Sequence, residues 1–282
     1  MITVAPGLAG RVTEGIRALG HDVVALMTIR NPRNLDQLAA LVGDPPAGLD
    51  VLVPHSRYGV ARLLTAYELD LAVCSGFNWR LPEDAIAAPR LGILNGHPSL
   101  LPRWRGPNPF GWTLRMGEPE LGFTWHLMDA ELDTGPILAQ GTTPLDENDT
   151  RDTLFAKLEP LAGSLLVRAL ERLEAGERGE PQPTEGASWA PHFEEEFTEI
   201  DWTQPAREIH NQVRSWFLPT RSGVSGAHAT LDGERVKVTR TQLVTRESEA
   251  AAPGTILARQ DGTLLVQCGD GPLRVLDTEP VR

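Results

Sequence analysis

LAVCSGFNWRLPEDAIAAPRLGILNGH, residues 71–97, sets the expected fold of this chain. The apolar run LAVCS (71–75) gives way to a short helical stretch at 82–87, and a second apolar run, GILN (92–95), follows at once. Strands of four to six residues alternating with helices are the pattern of a parallel sheet with right-handed crossovers. The alternation continues toward the N-terminus. ITVA (2–5) precedes a helix-like 9–19, VVALMT (23–28) precedes 34–42, and VLVP (51–54) precedes 57–67. The expectation is an α/β fold: a Rossmann-like, mostly parallel sheet with flanking helices.

A dinucleotide site does not follow from that fold. The first strand leads into APGLAG, where Gly7 and Gly10 form Gly-x-x-Gly rather than G-x-G-x-x-G, and no acidic residue ends the second strand. The two glycines read as a tight strand-to-helix turn.

Beyond GILN the pattern changes. A helix near 108–116 leads to GFTWHLMD (122–129) and GPILAQGTTPL (135–145), two β-like runs placed as a hairpin beside the parallel sheet. Residues 150–175 carry leucines at helical spacing, from Leu154 to Leu173, behind a Thr150 cap and with a bend at Pro160. The connector EAGERGEPQPTEG crosses the surface, and the helix PAREIHNQVRSW (205–216) follows. The remainder is short and β-rich, with DGE and DGT as hairpin turns. It is expected to form a small OB-like barrel. The domains are therefore placed at 1–185 (catalytic), 186–206 (connector) and 207–282 (OB-like C-terminal domain).

The 282 residues are 41% hydrophobic, enough for a well-buried core, and hold no apolar run of membrane-spanning length. MITVAPGLAGRV lacks the basic leader and apolar segment of a signal peptide. Cys74 and Cys268 stand far apart with no metal-ligand spacing, so both read as buried thiols in a reducing cytoplasm, with no metal expected. The net charge of −12 argues against a general nucleic-acid binder. From Pro205 onward 10 Lys and Arg face 9 Asp and Glu, which leaves 16 against 29 before it, so the acidity is N-terminal.

Asn95 and His97 close the GILNGH strand at its carboxyl end, where open parallel sheets bind ligands. An uncharged imidazole there takes a proton from a nucleophile, and an amide NH2 beside it donates to an oxygen gaining negative charge. Asp133, in MDAELDTGPI (128–137), is the candidate to orient the imidazole or hold its protonation state. With no Ser or Cys nucleophile in the set, acyl transfer from a bound donor to a nucleophile on the substrate fits best. The competing structural readings are a strand-end histidine at 97 and a carboxylate that caps the DTG turn. Arg103 and Arg105 read equally as surface charges or as groups near the acceptor or donor tail. His126 and His210 read as structural, and the tryptophans as core or interface aromatics. The isomer of the Pro102 peptide is not set by sequence.

SLLPRWRG (99–106), preceded by Asn95-x-His97 and followed by LDTGPI (132–137), resembles the 10-formyltetrahydrofolate-dependent formyltransferases, of which methionyl-tRNA formyltransferase is a member. IDWTQPAREIHNQVRSWFLP (200–219), LDGERVKV, PGTIL and GDGPLRVL resemble the later helix and OB-like domain of that family. The resemblance spans residues 70–282 closely and the first 70 more loosely. It implies that Asn95, His97 and Asp133 are the catalytic set and that 10-formyltetrahydrofolate is the co-substrate, with no metal. GFNWRLP (76–82) resembles the pterin-binding loop, which implies backbone contacts from Trp79, Arg80 and Leu81. The loop Asp129, Ala130, Glu131, Leu132 and Asp133 would close the other side.

The acceptor is a separate question. Family members that act on tRNA carry a long basic loop after the second strand, where this chain has only TIRNPRNLD (28–36). With the near-neutral C-terminal part, this disfavours tRNA and leans toward a small amine: an amino acid, a hydroxyornithine-type side chain or an amino sugar. Methionyl-tRNA is the alternative acceptor; water as acceptor, a formyltetrahydrofolate hydrolase, ranks below it, and a non-catalytic folate-holding protein is the remaining reading.

Overall fold

A computed structural model of the chain describes residues 2–3, 13–30, 35–45, 48–77, 79–245 and 251–281. Gly7, Gly10 and residues 31–34 of the loop after the second strand lie outside them. The chain divides into two compact units: Met1–Arg105 with Gly122–Thr143 and Phe155–Ser188, and Gly106–Leu121 with Pro144–Leu154 and Trp189–Arg282.

The first unit is built on a seven-stranded sheet in the order β3-β2-β1-β4-β5-β6-β7. Its strands are β1 (Ile2–Thr3), β2 (Ala25–Met27), β3 (Asp50–Leu52), β4 (Ala72–Ser75), β5 (Ile93–His97), β6 (Glu120–Leu127) and β7 (Ile137–Pro144). The first five are parallel, and β6 runs antiparallel to β5. Helices α1 (13–18), α2 (Leu35–Gly43), α3 (Val60–Ala66) and α4 (Glu83–Ile86) fall between the parallel strands. This is the α/β architecture expected, with the two later strands added at one edge of the sheet.

Packing explains why residues 71–97 signal the fold so clearly. All five residues of β5 are buried, as befits a strand covered on both faces. Val60 and Leu64, four apart on α3, meet Ala72, Cys74, Leu81, Ala85 and Ile93 in one cluster. Burial pushes the Cys74 thiol up to about 12, so it is a neutral filler rather than a nucleophile.

Helix α6 (Arg151–Glu174) starts as its sequence predicts, with the Thr150 hydroxyl accepting the Thr153 N–H at 3.3 Å. Leu154, Leu158, Leu165, Leu166, Leu170 and Leu173 form its buried face. The Trp125 indole of β6 donates to the Ala162 carbonyl at 2.9 Å.

The second unit contains the five-stranded antiparallel sheet β10-β11-β12-β9-β8. Its strands are β8 (Ala227–Leu231), β9 (Glu234–Leu243), β10 (Ile256–Gln260), β11 (Thr263–Gln267) and β12 (Pro272–Pro280). DGE and DGT turn the two tight hairpins, with positive φ at Asp232, Gly233, Asp261 and Gly262. Helix α7 (Ala206–Arg214) buries Val213 against Ala227, Ala229, Val238, Val266 and Val275. Residues 106–121 join this unit through aromatic contacts from α5 (Pro109–Arg115). Phe110 stacks on Phe217 at 5.1 Å, and the Trp112 indole donates to the Pro191 carbonyl at 2.8 Å. Among the described residues no helix is long and apolar enough to cross a membrane.

Candidate active site

The β5–β6 register assembles the site. Asn95 pairs with His126, Gly96 with Trp125, and His97 with Thr124. Directly paired residues share a face, so Asn95, His97, Thr124 and His126 stand together. On the other face, a Cβ added at Gly96 would lie 2.9 Å from both the Phe123 and Trp125 rings, so a larger residue between the two polar ones would force those rings to shift.

Asn95 is 9% exposed, His97 5%, Asp133 8% and His126 1%. His97 Nε2 lies 2.8 Å from the Trp104 carbonyl, which only accepts, so Nε2 carries a proton and donates it there. Nδ1 is then the nitrogen able to take a proton, and it faces Asp133 Oδ2 at 3.7 Å. That gap exceeds a hydrogen bond but suits an ion pair once the ring is protonated. Asp133 Oδ1 lies 3.7 Å from His126 Nε2, so the carboxylate stands between two imidazoles. Among the described residues no group of His, Cys, Asp and Glu has the arrangement of a metal site.

Two loops with unusual backbone hold these groups. The turn after β5 is closed by the Ser99 hydroxyl on the Arg103 carbonyl at 2.7 Å, and it includes a cis Leu101–Pro102 peptide. Trp104 takes a φ of 57°, with its N–H donated to Ser188 Oγ at 2.9 Å, which brings its carbonyl to His97. Asp133 also has a φ of 57°, a conformation that aspartate tolerates better than most residues. Two left-handed non-glycine residues at one site mark backbone that the surroundings hold in place.

An open depression of about 350 Å³ lies among Ile86, Ala87, Gly92, Met128, Ala130 and Arg178, at the amino end of β5, and none of Asn95, His97 and Asp133 lines it. Arg80 ties its own loop to the loop after β6, donating to the Ala130 carbonyl at 2.7 Å and pairing with Glu131 at 3.3 Å. The loops expected at the donor, 79–81 and 129–132, are thus brought together. Trp79 is half-buried and edge-on to Phe77, and Leu81 is in the core. Asp129, Glu131 and Leu132 are exposed. Among the described residues Ala130 is the one expected donor contact that lines the depression.

Two family signatures cover most of the chain: formyl transferase over residues 55–170, and the formyl transferase C-terminal domain over 193–281. A methionyl-tRNA formyltransferase of Pelobacter propionicus is 39% identical over 244 residues, 85% of this chain and 72% of that protein. The chain belongs to the formyl transferase family. Two solved structures share the formyltransferase fold. HypX from Aquifex aeolicus in complex with tetrahydrofolic acid has a TM-score of 0.66 at 21% identity, covering 92% of this chain and 44% of HypX. An N-formyltransferase from Helicobacter canadensis, in complex with folinic acid and dTDP-3-aminofucose, has a TM-score of 0.62 at 18% identity, covering 92% of this chain and all of that one.

In this formyltransferase two residues enter the cluster that sequence reasoning placed elsewhere. His126, read as structural, lies directly across from Asn95. Gln182, read as part of a surface connector, fastens both loops. Its amide donates to the Asp133 carbonyl at 2.9 Å and the Gly135 carbonyl at 2.8 Å. Its oxygen accepts from Arg105 Nε at 3.0 Å and Nη2 at 2.7 Å. Arg105, read as a surface or substrate-facing charge, is therefore part of this clip. Replacing Gln182 with alanine is expected to lower the unfolding free energy by about 1–3 kcal/mol and to reduce kcat more than donor affinity. Urea unfolding and steady-state kinetics check it, and unchanged stability would show that the clip is ornamental.

Proposed function

We propose that this chain transfers the formyl group of 10-formyltetrahydrofolate to a small-molecule amine: an amino acid, a hydroxyornithine-type side chain or an amino sugar. The chemistry is assigned to residues 1–185, with 186–206 as connector and 207–282 as the OB-like domain, acting in the cytoplasm. His97 Nδ1 takes the amine's proton as the amine attacks the formyl carbon. The imidazolium so formed is stabilised by Asp133, and its proton passes to the departing folate nitrogen. The Asn95 NH2 donates to the formyl oxygen while that oxygen carries the negative charge of the tetrahedral adduct. The loops 79–81 and 129–132 take the pterin, whose donor and acceptor edge suits backbone partners.

The observation that carries the small-amine reading is the pairing of cations in the second unit. Arg207 pairs with Glu147, Arg235 with Glu199, Lys237 with Glu279, Arg240 with Asp277 and Arg259 with Asp232. A tRNA phosphate would have to displace a carboxylate at each, and would lose the counterion release that drives nucleic-acid binding. The second reading, methionyl-tRNA formyl transfer, is favoured by the 39% identity to the Pelobacter protein.

The deciding experiment offers 10-formyltetrahydrofolate with a panel of small amines, and separately with charged initiator tRNA, and follows folate absorbance and product mass. The expected product is a formylated small amine. Selective formylation of the tRNA would establish the second reading, and release of formate without an amine would establish a hydrolase.

A further inference from the structure

His126 is unused by the mechanism above, although it stands directly across from Asn95 on the same face. Its Nδ1 lies 3.0 Å from the Leu127 carbonyl and its Nε2 lies 3.1 Å from Asn95 Nδ2. The carbonyl has no hydrogen to give, so Nδ1 carries the ring proton and Nε2 presents a lone pair. A lone pair meets an NH2 group favourably and an amide oxygen unfavourably. Had the Asn95 side chain been turned over, Oδ1 would face Nε2, and two acceptors would oppose each other at 3.1 Å, too close for a water between them.

We infer that His126 is a positioning residue for Asn95: its Nδ1–H tautomer, fixed by the Leu127 carbonyl, selects the amide rotamer that presents NH2 toward the reacting oxygen. The inference rests on the catalytic reading of Asn95 given above. It assigns His126 no proton transfer and no contact with substrate. Burial supports it by pushing the imidazole down to about 4 against the pull of Asp133, so the ring is neutral near pH 7 and Nε2 stays free to accept. The β5–β6 pairing holds the two backbones in register, and the contact of Nδ2 with Nε2 is what a turned-over amide would lose.

Two measurements test it. The first needs no substrate: ring-nitrogen NMR of the whole protein labelled with 15N-histidine is expected to show His126 protonated at Nδ1 and bare at Nε2 at neutral pH. A proton on Nε2 overturns the inference. The second compares His126→Phe, which keeps the ring and removes the acceptor, with His126→Gln, whose side-chain oxygen supplies one near the Nε2 position. The acceptor is the amine that turns over fastest in the panel.

The Phe variant is expected to lose about 10–100-fold in kcat, part of the 10²–10³ attached to removing an oxyanion donor outright, with the donor KM nearly unchanged. The Gln variant is expected to recover most of that loss. In an Asn95→Ala background the Phe change should add nothing, because the group it positions is gone. A Phe variant with wild-type kcat, or one whose loss adds in full to that of Asn95→Ala, overturns the inference. An Asn95→Ala enzyme with wild-type kcat would instead overturn the catalytic reading of Asn95. The NMR tautomer decides the pairing even where the Phe variant fails to fold.

Discussion

His97→Ala is expected to lower kcat by about 10²–10⁴-fold, the range attached to a positioned general base, and to leave donor affinity nearly unchanged. The two effects separate because the groups lie on different elements. The imidazole ends β5 and is held by the Trp104 carbonyl, whereas the loops assigned to the donor, 79–81 and 129–132, are tied to each other by Arg80. On the proposed mechanism, losing the ring would remove the proton acceptor and leave the loops assigned to the pterin, 79–81 and 129–132, in place. It also leaves the Asp133 carboxylate without the imidazolium it would stabilise. Asp133→Asn in the same background should therefore add little further loss, as expected of residues acting as one unit. Single-turnover kinetics with saturating donor, beside a fluorescence titration of folate binding, give the two numbers. Turnover that survives the substitution would remove the imidazole from the mechanism. A parallel loss of folate binding would mean that His97 holds the donor rather than the proton.

The sequence revealed those features of fold and site that depend on neighbours along the chain. The strand alternation, the Thr150 cap and the DGE and DGT turns are local events, so residue type is enough to place them. Asn95 and His97 were visible for the same reason, being two apart on one strand. His126 was not. It lies 31 residues from Asn95, and the contact depends on the β5–β6 register, which alternation alone leaves open. A signal existed in the polar residues of NGH and of TWH, each spaced by two, because pairing the two runs places all four on one face. Gln182 left no signal, since its partners are the backbone carbonyls of Asp133 and Gly135 and an arginine 77 residues away. The place of residues 106–121 was also hidden. The aromatic pairing of Phe110 with Phe217 bridges a long separation, and periodicity within α5 gives its face but not its partner. Net charge showed that the C-terminal part is close to neutral. It could not show that individual cations are matched to individual carboxylates, which bears more directly on tRNA.

Gly135→Ala is expected to reduce kcat by at least about 100-fold, the scale attached to a 1 Å misplacement of reacting groups, and to destabilise the protein by about 1–3 kcal/mol or more. A Cβ at this position would lie 1.8 Å from the Leu127 carbonyl oxygen and 3.0 Å from its carbon. Real Cβ contacts essentially never fall below 3.0 Å, and the obstacle is backbone, which has no rotamer by which to yield. The loop must therefore lift from the end of β6 by about an ångström. Three features of the site would move with it. Leu127 N–H donates to the Pro136 carbonyl at 3.0 Å, and the Leu127 carbonyl fixes the His126 tautomer. Asp133, two residues earlier, is positioned by the same loop and by the Gln182 amide that also grips the Gly135 carbonyl. Gly163→Ala supplies the contrast. That glycine lies inside α6 with nothing within 4 Å of an added Cβ, so alanine there should stabilise by about 0.5–1 kcal/mol and leave kcat alone. Denaturant unfolding and steady-state kinetics on the two variants isolate the steric effect from the general effect of adding a methyl group. A Gly135→Ala enzyme as stable and as fast as the parent would show that the carboxylate loop is not held against β6 at all.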